Sequence, residues 1–147
     1  MKIIAASKQN YSELIQIWES SVRATHHFLT ENDIRTLRPL ILEEYFKAVK
    51  LVCAKNSDDE IIGFCGISGN KLEMLFISPD YMRQGVGSSL CRHAIQVFGV
   101  TMVDVNEQNE KAIKFYKTIG FRIIGKSQFD GQGMPFPLLH MTLSQQS

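Results

Sequence analysis

Residues 75–91 read LFISPDYMRQGVGSSLC, from Leu75 to Cys91. An apolar run ends at Ile77, and Pro79 and Asp80 break it. Gly85 and Gly87 then stand where a helix begins, with Val86, Leu90, Ala94 and Val97 following at roughly helical spacing. The pattern predicts strand, glycine turn, helix. The first turn of a helix leaves backbone N–H groups without partners, aimed at whatever lies in front. Glycines let a ligand come close to the backbone, and the positive end of the helix favours negative charge. A phosphate or pyrophosphate suits such a turn. A plain tight turn has the same sequence, so the anion reading needs support from elsewhere. The turn is no P-loop, which ends in Gly-Lys-Ser/Thr. It also lacks the third glycine of the dinucleotide fingerprint, since Ser88 to Leu90 supply none.

Upstream of the turn, Leu51–Ala54, Ile61–Ile67 and Leu72–Ile77 read as strands joined by short polar turns, which favours an antiparallel meander. Two glycines inside Ile61–Ile67 mark a bulge or a close approach. Before them come a short strand, Lys2–Ala6, and a helix from Tyr11 to about Arg23, with Asn10 as its N-cap and Glu13 in capping-box position. Ala24–Leu29 is a loop carrying His26 and His27. Thr30, with Asp33, caps a second helical region that Pro39 kinks or divides before its end near Lys47.

Downstream, a helix from about Gly85 to Phe98 leads to a strand, Met102–Val105. Asn109 caps a helix to about Ile119, Gly120 closes it, and Phe121–Gly125 and Leu138–Leu143 are strands on either side of the turn-rich loop 130–137. The order is β, α, α, β, β, β, α, β, α, β, β, an α/β chain. Right-handed crossovers set Leu72–Ile77 and Met102–Val105 side by side and parallel. A ligand site then lies beyond their carboxyl ends, where the glycine turn and the Asn106 loop both open.

The 147 residues suit one domain, 1–147, and 44% hydrophobic with 21% charged residues is an ordinary globular composition. A formal charge of +1 and scattered Lys and Arg give no stripe for nucleic acid. No run approaches the length of a membrane span, and the apolar start is too short for a signal peptide. The three cysteines have no metal-like spacing, and Cys53 and Cys65 fall in strand patterns as small core residues. The expectation is a reduced, cytoplasmic protein with no metal.

Two segments together resemble the GCN5-related N-acetyltransferase (GNAT) superfamily. The first is FISPDYMRQGVGSSL, similar to its acetyl-CoA pyrophosphate loop. The second is NEQNEKAIKFYKTIGF, Asn106 to Phe121, with Asn, Ala, Phe-Tyr and Gly-Phe at the family's intervals. The resemblance covers the chain in element order. It implies a single-domain GNAT-like fold, a mixed, mostly antiparallel sheet of about seven strands with helices on both faces. It implies acetyl-CoA as cosubstrate, cradled by the backbone of Arg83, Gln84, Gly85, Val86, Gly87 and Ser88. Met82 departs from the usual Gln or Arg, and Arg83 stands where close relatives often have Gly. Leu75, Phe76 and Ile77 would pair with the pantetheine arm, and Asn109 would hydrogen-bond it, with Phe115 and Tyr116 beside the cofactor. Tyr116 matches the general acid that protonates the leaving thiolate. Candidates for the base are Asp104, Glu73 and His26, while His140 reads as structural. Glu73 equally suits a solvated strand face. Trp18, Phe28, Phe129, Met134 and Phe136 are expected around the acceptor, an amine most readily of a small molecule. The alternatives are a protein amino terminus or lysine, and a catalytically silent acyl-CoA-binding sensor. The chain is expected as a monomer or homodimer.

Overall fold

The computed structural model describes residues 1–131, 133 and 135–144. The elements follow the expected order: β1 Lys2–Ala5, α1 Tyr11–Thr25, α2 Glu31–Leu40, α3 Phe46–Ala48, β2 Lys50–Lys55, β3 Ile61–Ser68, β4 Lys71–Ile77, α4 Val86–Phe98, β5 Met102–Asn106, α5 Glu110–Ile119, β6 Phe121–Ser127 and β7 Leu138–Leu143. They build one seven-stranded sheet in the order β1-β2-β3-β4-β5-β7-β6. Among the described residues only β4 and β5 pair in parallel.

Alternation along the strands splits the apolar side chains between two cores. On one face Val52, Cys65, Leu72 and Val103 meet Leu90, Cys91 and Ala94 of α4 and Tyr116 of α5. On the other, Leu51, Cys53 and Phe64 meet Leu14, Trp18 and Val22 of α1 and Ile34 of α2. Phe46 packs edge-on against Phe64 with ring centroids 5.7 Å apart. Burying each such ring stabilises the fold by about 2 kcal/mol.

Two local features, the cap and the end of the first helix, differ from the sequence expectation. Asn10 does not cap α1 with its side chain. Instead its Oδ1 accepts from the Ser7 N–H at 3.0 Å, and a short 3-10 turn, Lys8–Asn10, leads into the helix. As expected, the helical region holding Pro39 is divided: α2 ends one residue after it, and a π-helical turn, Ile41–Tyr45, follows before α3. A proline cannot donate to the carbonyl four residues back, and the ladder recovers by widening for one turn. The first helix also runs on to Thr25, whose hydroxyl donates to the Ser21 carbonyl at 2.8 Å. The capping box of Thr30 and Asp33 forms as expected, at 3.0 and 2.9 Å.

The sheet opens where the site lies. Against β3, Gly66 pairs with Met74 and Ile67 with Leu72, so Glu73 is an extra, bulged residue. Against β5, β4 pairs only through Lys71 with Met102 and Leu72 with Val103. From Glu73 onward the two parallel strands part. The glycines of β3 serve close approach: a Cβ on Gly66 would sit 2.9 Å from Val49 Cγ2, and one on Gly63 2.9 Å from Ile77 Cδ1.

Candidate active site

The glycine turn forms the N-terminus of α4. Gly85 holds φ 85, a left-handed conformation that glycine adopts freely, and no side chain caps the helix. The first intrahelical bond runs from the Ser89 N–H to the Gly85 carbonyl at 3.0 Å. The N–H groups of Val86, Gly87 and Ser88 are thus the donors that the helix leaves over. Arg83 also lies in the left-handed region, at φ 63, without a glycine's freedom. It and Gln84 are exposed, and the Gln84 amide donates to the Asp80 carbonyl at 3.1 Å. A Cβ on Gly87 would rest 3.7 Å from both Ile77 Cγ1 and Phe115 Cζ. The end of β4, the glycine turn and α5 therefore converge on one spot.

Tyr116 lies behind that spot. Its ring packs edge-on between Phe115 at 5.0 Å and Phe121 at 5.7 Å, in the core that also holds Cys65 and Cys91. Burial pushes the phenol well above its usual pKa, with the two thiols adding to the effect. It stays protonated at neutral pH, a proton donor in an apolar setting.

On the other side of the parting strands lies a cavity of about 460 Å³ lined by aromatic and aliphatic side chains, among them Trp18, Phe28, Phe76 and Phe136. Phe28 and Phe136 face each other at 5.5 Å. Glu73 and Asp130 bring carboxylates to this lining. Glu73 is exposed at its bulge and makes no hydrogen bond or ion pair among the described residues. Phe129 is not part of the cavity; it is 56% exposed and borders a separate groove with Lys126 and Pro137. Met134 lies outside the described residues. The sequence reading missed Ile41, Tyr45 and Val49, which also line the cavity. Their placement follows from the π-helical turn, for which Pro39 is the only local signal.

His26 joins the two halves. Asn109 Oδ1 accepts from the Ala112 N–H at 3.2 Å, which caps α5 and turns Nδ2 toward His26 Nε2 at 3.4 Å. Thr25 Oγ1 donates to the Ser21 carbonyl, so at 2.7 Å from His26 Nδ1 it must accept. The tautomer follows: Nδ1 carries the proton and Nε2 accepts from Asn109. Burial, with His27 beside it, lowers the His26 pKa to about 4, so the ring is neutral at pH 7. His27 itself is exposed.

Asp104 is placed differently from the expectation of a base. Its Oδ2 pairs with Lys71 Nζ, and its Oδ1 accepts from His140 Nδ1 at 2.7 Å. Desolvation raises its pKa, but the bonds to Lys71 and His140 outweigh that and hold it below the usual carboxylate range. A carboxylate so held has little affinity for a substrate proton. His140, expected as structural, is its partner.

A family model described as an acetyltransferase (GNAT) domain matches residues 19–144. The chain belongs to the GNAT acetyltransferase family. The peptidyl-lysine N-acetyltransferase YjaB of Escherichia coli (strain K12) is 40% identical over 129 residues, covering 88% of this chain and 87% of that protein. The solution structure of apo YjaB from Escherichia coli superposes with a TM-score of 0.85 at 38% identity, covering 96% of this chain and 95% of that one. The PaiA N-acetyltransferase of Thermoplasma acidophilum, solved in complex with coenzyme A, shares the fold at 20% identity, with a TM-score of 0.75 over 98% of this chain and 100% of that one. This acetyltransferase has the mixed, mostly antiparallel sheet expected for the family, with α1 and α2 on one face and α4 and α5 on the other. It is an N-acetyltransferase, an enzyme that moves an acetyl group to an amine. Among the described residues no group of His, Cys, Asp and Glu gathers as metal ligands, and no helix is long and apolar enough to cross a membrane.

Proposed function

We propose that this acetyltransferase takes the acetyl group from acetyl-CoA and gives it to a primary amine on an apolar stem, a peptidyl lysine. One observation carries the reading: an anion-suited helix terminus and an aromatic cavity with a carboxylate lie on opposite sides of the gap where β4 and β5 part. The name of the relative YjaB supports lysine as the acceptor. The aliphatic and aromatic lining suits four methylenes, and Glu73 and Asp130 suit the ammonium.

The N–H groups of Val86, Gly87 and Ser88, with the turn Arg83–Gln84–Gly85, would hold the pyrophosphate. Met82 matters little to a cradle made of backbone. Between Glu73 and Ile77 the β5-facing edge of β4 has no strand partner, so Leu75, Phe76 and Ile77 offer backbone groups to the amides of the pantetheine arm. Asn109 has a second N–H for the same arm, and Phe115 lines its path. When bound, acetyl-CoA supplies an acyl group already activated as a thioester.

The chain's own residues then move protons. The incoming ammonium must lose one before it can attack. Availability decides between His26 and Glu73. Both ring nitrogens of His26 are engaged, whereas Glu73 faces the cavity unclaimed among the described residues. Glu73, directly or through water, is the proton acceptor. His26 is a neutral wall that adds no repulsion for the ammonium. Tyr116 gives its proton to the leaving thiolate.

Mass spectrometry of products from a panel of lysine peptides, free amines and amino acids tests the acceptor. Acetyl on the lysine Nε of peptides is the expected result. Acetylation confined to small amines would select a second reading, favoured by the cavity volume of about 460 Å³, which falls in the range of small-ligand sites. Failure of every amine in the presence of acetyl-CoA would overturn both.

A further inference from the structure

We infer that Ser127 is an activated nucleophile that accepts acyl groups from activated esters and thioesters, with His140 as its base and Asp104 as the orienting carboxylate. The three groups form an unbroken chain outside the acetyl-transfer site. Asp104 Oδ1 lies 2.7 Å from His140 Nδ1, and His140 Nε2 lies 2.6 Å from Ser127 Oγ. Asp104 is ionised and can only accept, so Nδ1 carries the imidazole proton. Nε2 is then the acceptor, and the Ser127 hydroxyl must donate to it. This is the order of bonds by which a carboxylate fixes a histidine tautomer and the histidine draws the proton from a serine. Lys71 occupies the other carboxylate oxygen and keeps Asp104 charged without competing for Oδ1.

The sheet builds this arrangement from four neighbouring strands, β4, β5, β7 and β6. Asp104 is directly opposite His140, and His140 is opposite Gly125. The imidazole lies over Gly125, where a Cβ would rest 3.6 Å from His140 Cδ2, and reaches Ser127, two residues further along β6. The register of β6 shifts between Ile123 and Gly125, which leaves Ile124 as the bulged residue. Without that shift, Ile124 and Lys126 would take the places of Gly125 and Ser127 on this face. Exposure rises from Asp104, with 18% of its side chain accessible, to His140 with 31%. Ser127 is half-buried, so a reagent can reach its hydroxyl. β6 is an edge strand, and its outward N–H groups are donors of the kind an oxyanion needs. In the register Asn106, Leu138, Ser127, the serine lies two strands, about 10 Å, from the cavity-lining Asn106.

In the step, Ser127 Oγ bonds to the acyl carbon while its proton passes to His140 Nε2. The bond from that carbon to the alcohol oxygen or thiol sulfur breaks, and the leaving group takes the proton from His140. The products are O-acyl-Ser127 and a free alcohol or thiol. Water attacking by the reverse route releases the carboxylic acid and restores the serine.

A fluorophosphonate probe and p-nitrophenyl acetate, followed by peptide mapping, test this without acetyl-CoA, so the result is independent of the acetyl-transfer reading. The expected result is a label on Ser127 and none in Ser127→Ala. Asp104→Asn and His140→Gln should slow labelling at least about 100-fold while circular dichroism matches the parent. Ser127 labelling no faster than in the urea-unfolded chain would overturn the proposal. So would an unchanged rate in folded His140→Gln. If neither variant folds, the comparison of folded with unfolded parent still decides.

Discussion

Tyr116 keeps its proton at neutral pH and so is available as a donor. Replacing it with Phe keeps the packing against Phe115 and Phe121 and removes only the donor. The expected outcome is a kcat lowered by about 10²-fold with KM for acetyl-CoA unchanged, read by steady-state thiol release. Glu73→Gln should lower kcat/KM for the amine by about 10–100-fold, and the deficit should shrink as pH rises and more acceptor arrives deprotonated. His26 has a different signature. Its folded pKa, about 4, is below the unfolded value of 6.5. Its contribution to stability is therefore complete above pH 6.5 and is lost as pH falls toward 4, because only the unfolded chain takes up the proton. The loss is of order 2–3 kcal/mol. Urea unfolding at pH 7 and pH 4 should show it in the parent, and His26→Asn should flatten that difference.

At the scale of elements, strain and bulges shape the site. Arg83 pays for a left-handed backbone that glycine adopts freely. Arg83→Gly should hold or raise stability by up to about 1 kcal/mol, and acetyl-CoA affinity measured by calorimetry should stay within a few-fold if backbone alone forms the cradle. A large loss of affinity would assign the clamp to the guanidinium. The glycine turn and the Asn109–Gly120 helix were legible in the sequence because caps, glycines and apolar spacing are local signals. The bulge at Glu73 was not, because it exists only in the register between β3 and β4. Asp104 reads as unusual for a related reason: it is an acid between Val103 and Val105, while Lys71, which offsets its charge, and His140, which donates to it, come from other strands. His26 reads from the sequence as a loop histidine, while its bond partners Thr25 and Asn109 come together only in the fold.

At the scale of the whole molecule, one sheet lies between two cores, with α4 and α5 on one face, the proposed donor side, and α1 and α2 on the other, the proposed acceptor side. A ligand that bridges the gap from the glycine turn to Phe76 binds only the folded chain. At 100 times its Kd it should stabilise by about 2.7 kcal/mol, a rise in Tm of about 5–10 °C in a thermal scan. The most direct measurement is thiol release from acetyl-CoA with a lysine peptide, for the parent and for Tyr116→Phe. The account predicts peptide-dependent turnover in the parent and a loss of about 10²-fold in kcat in the variant, with acetyl-CoA still bound. Equal turnover in both proteins, or none in a parent that fails to bind acetyl-CoA, would contradict it.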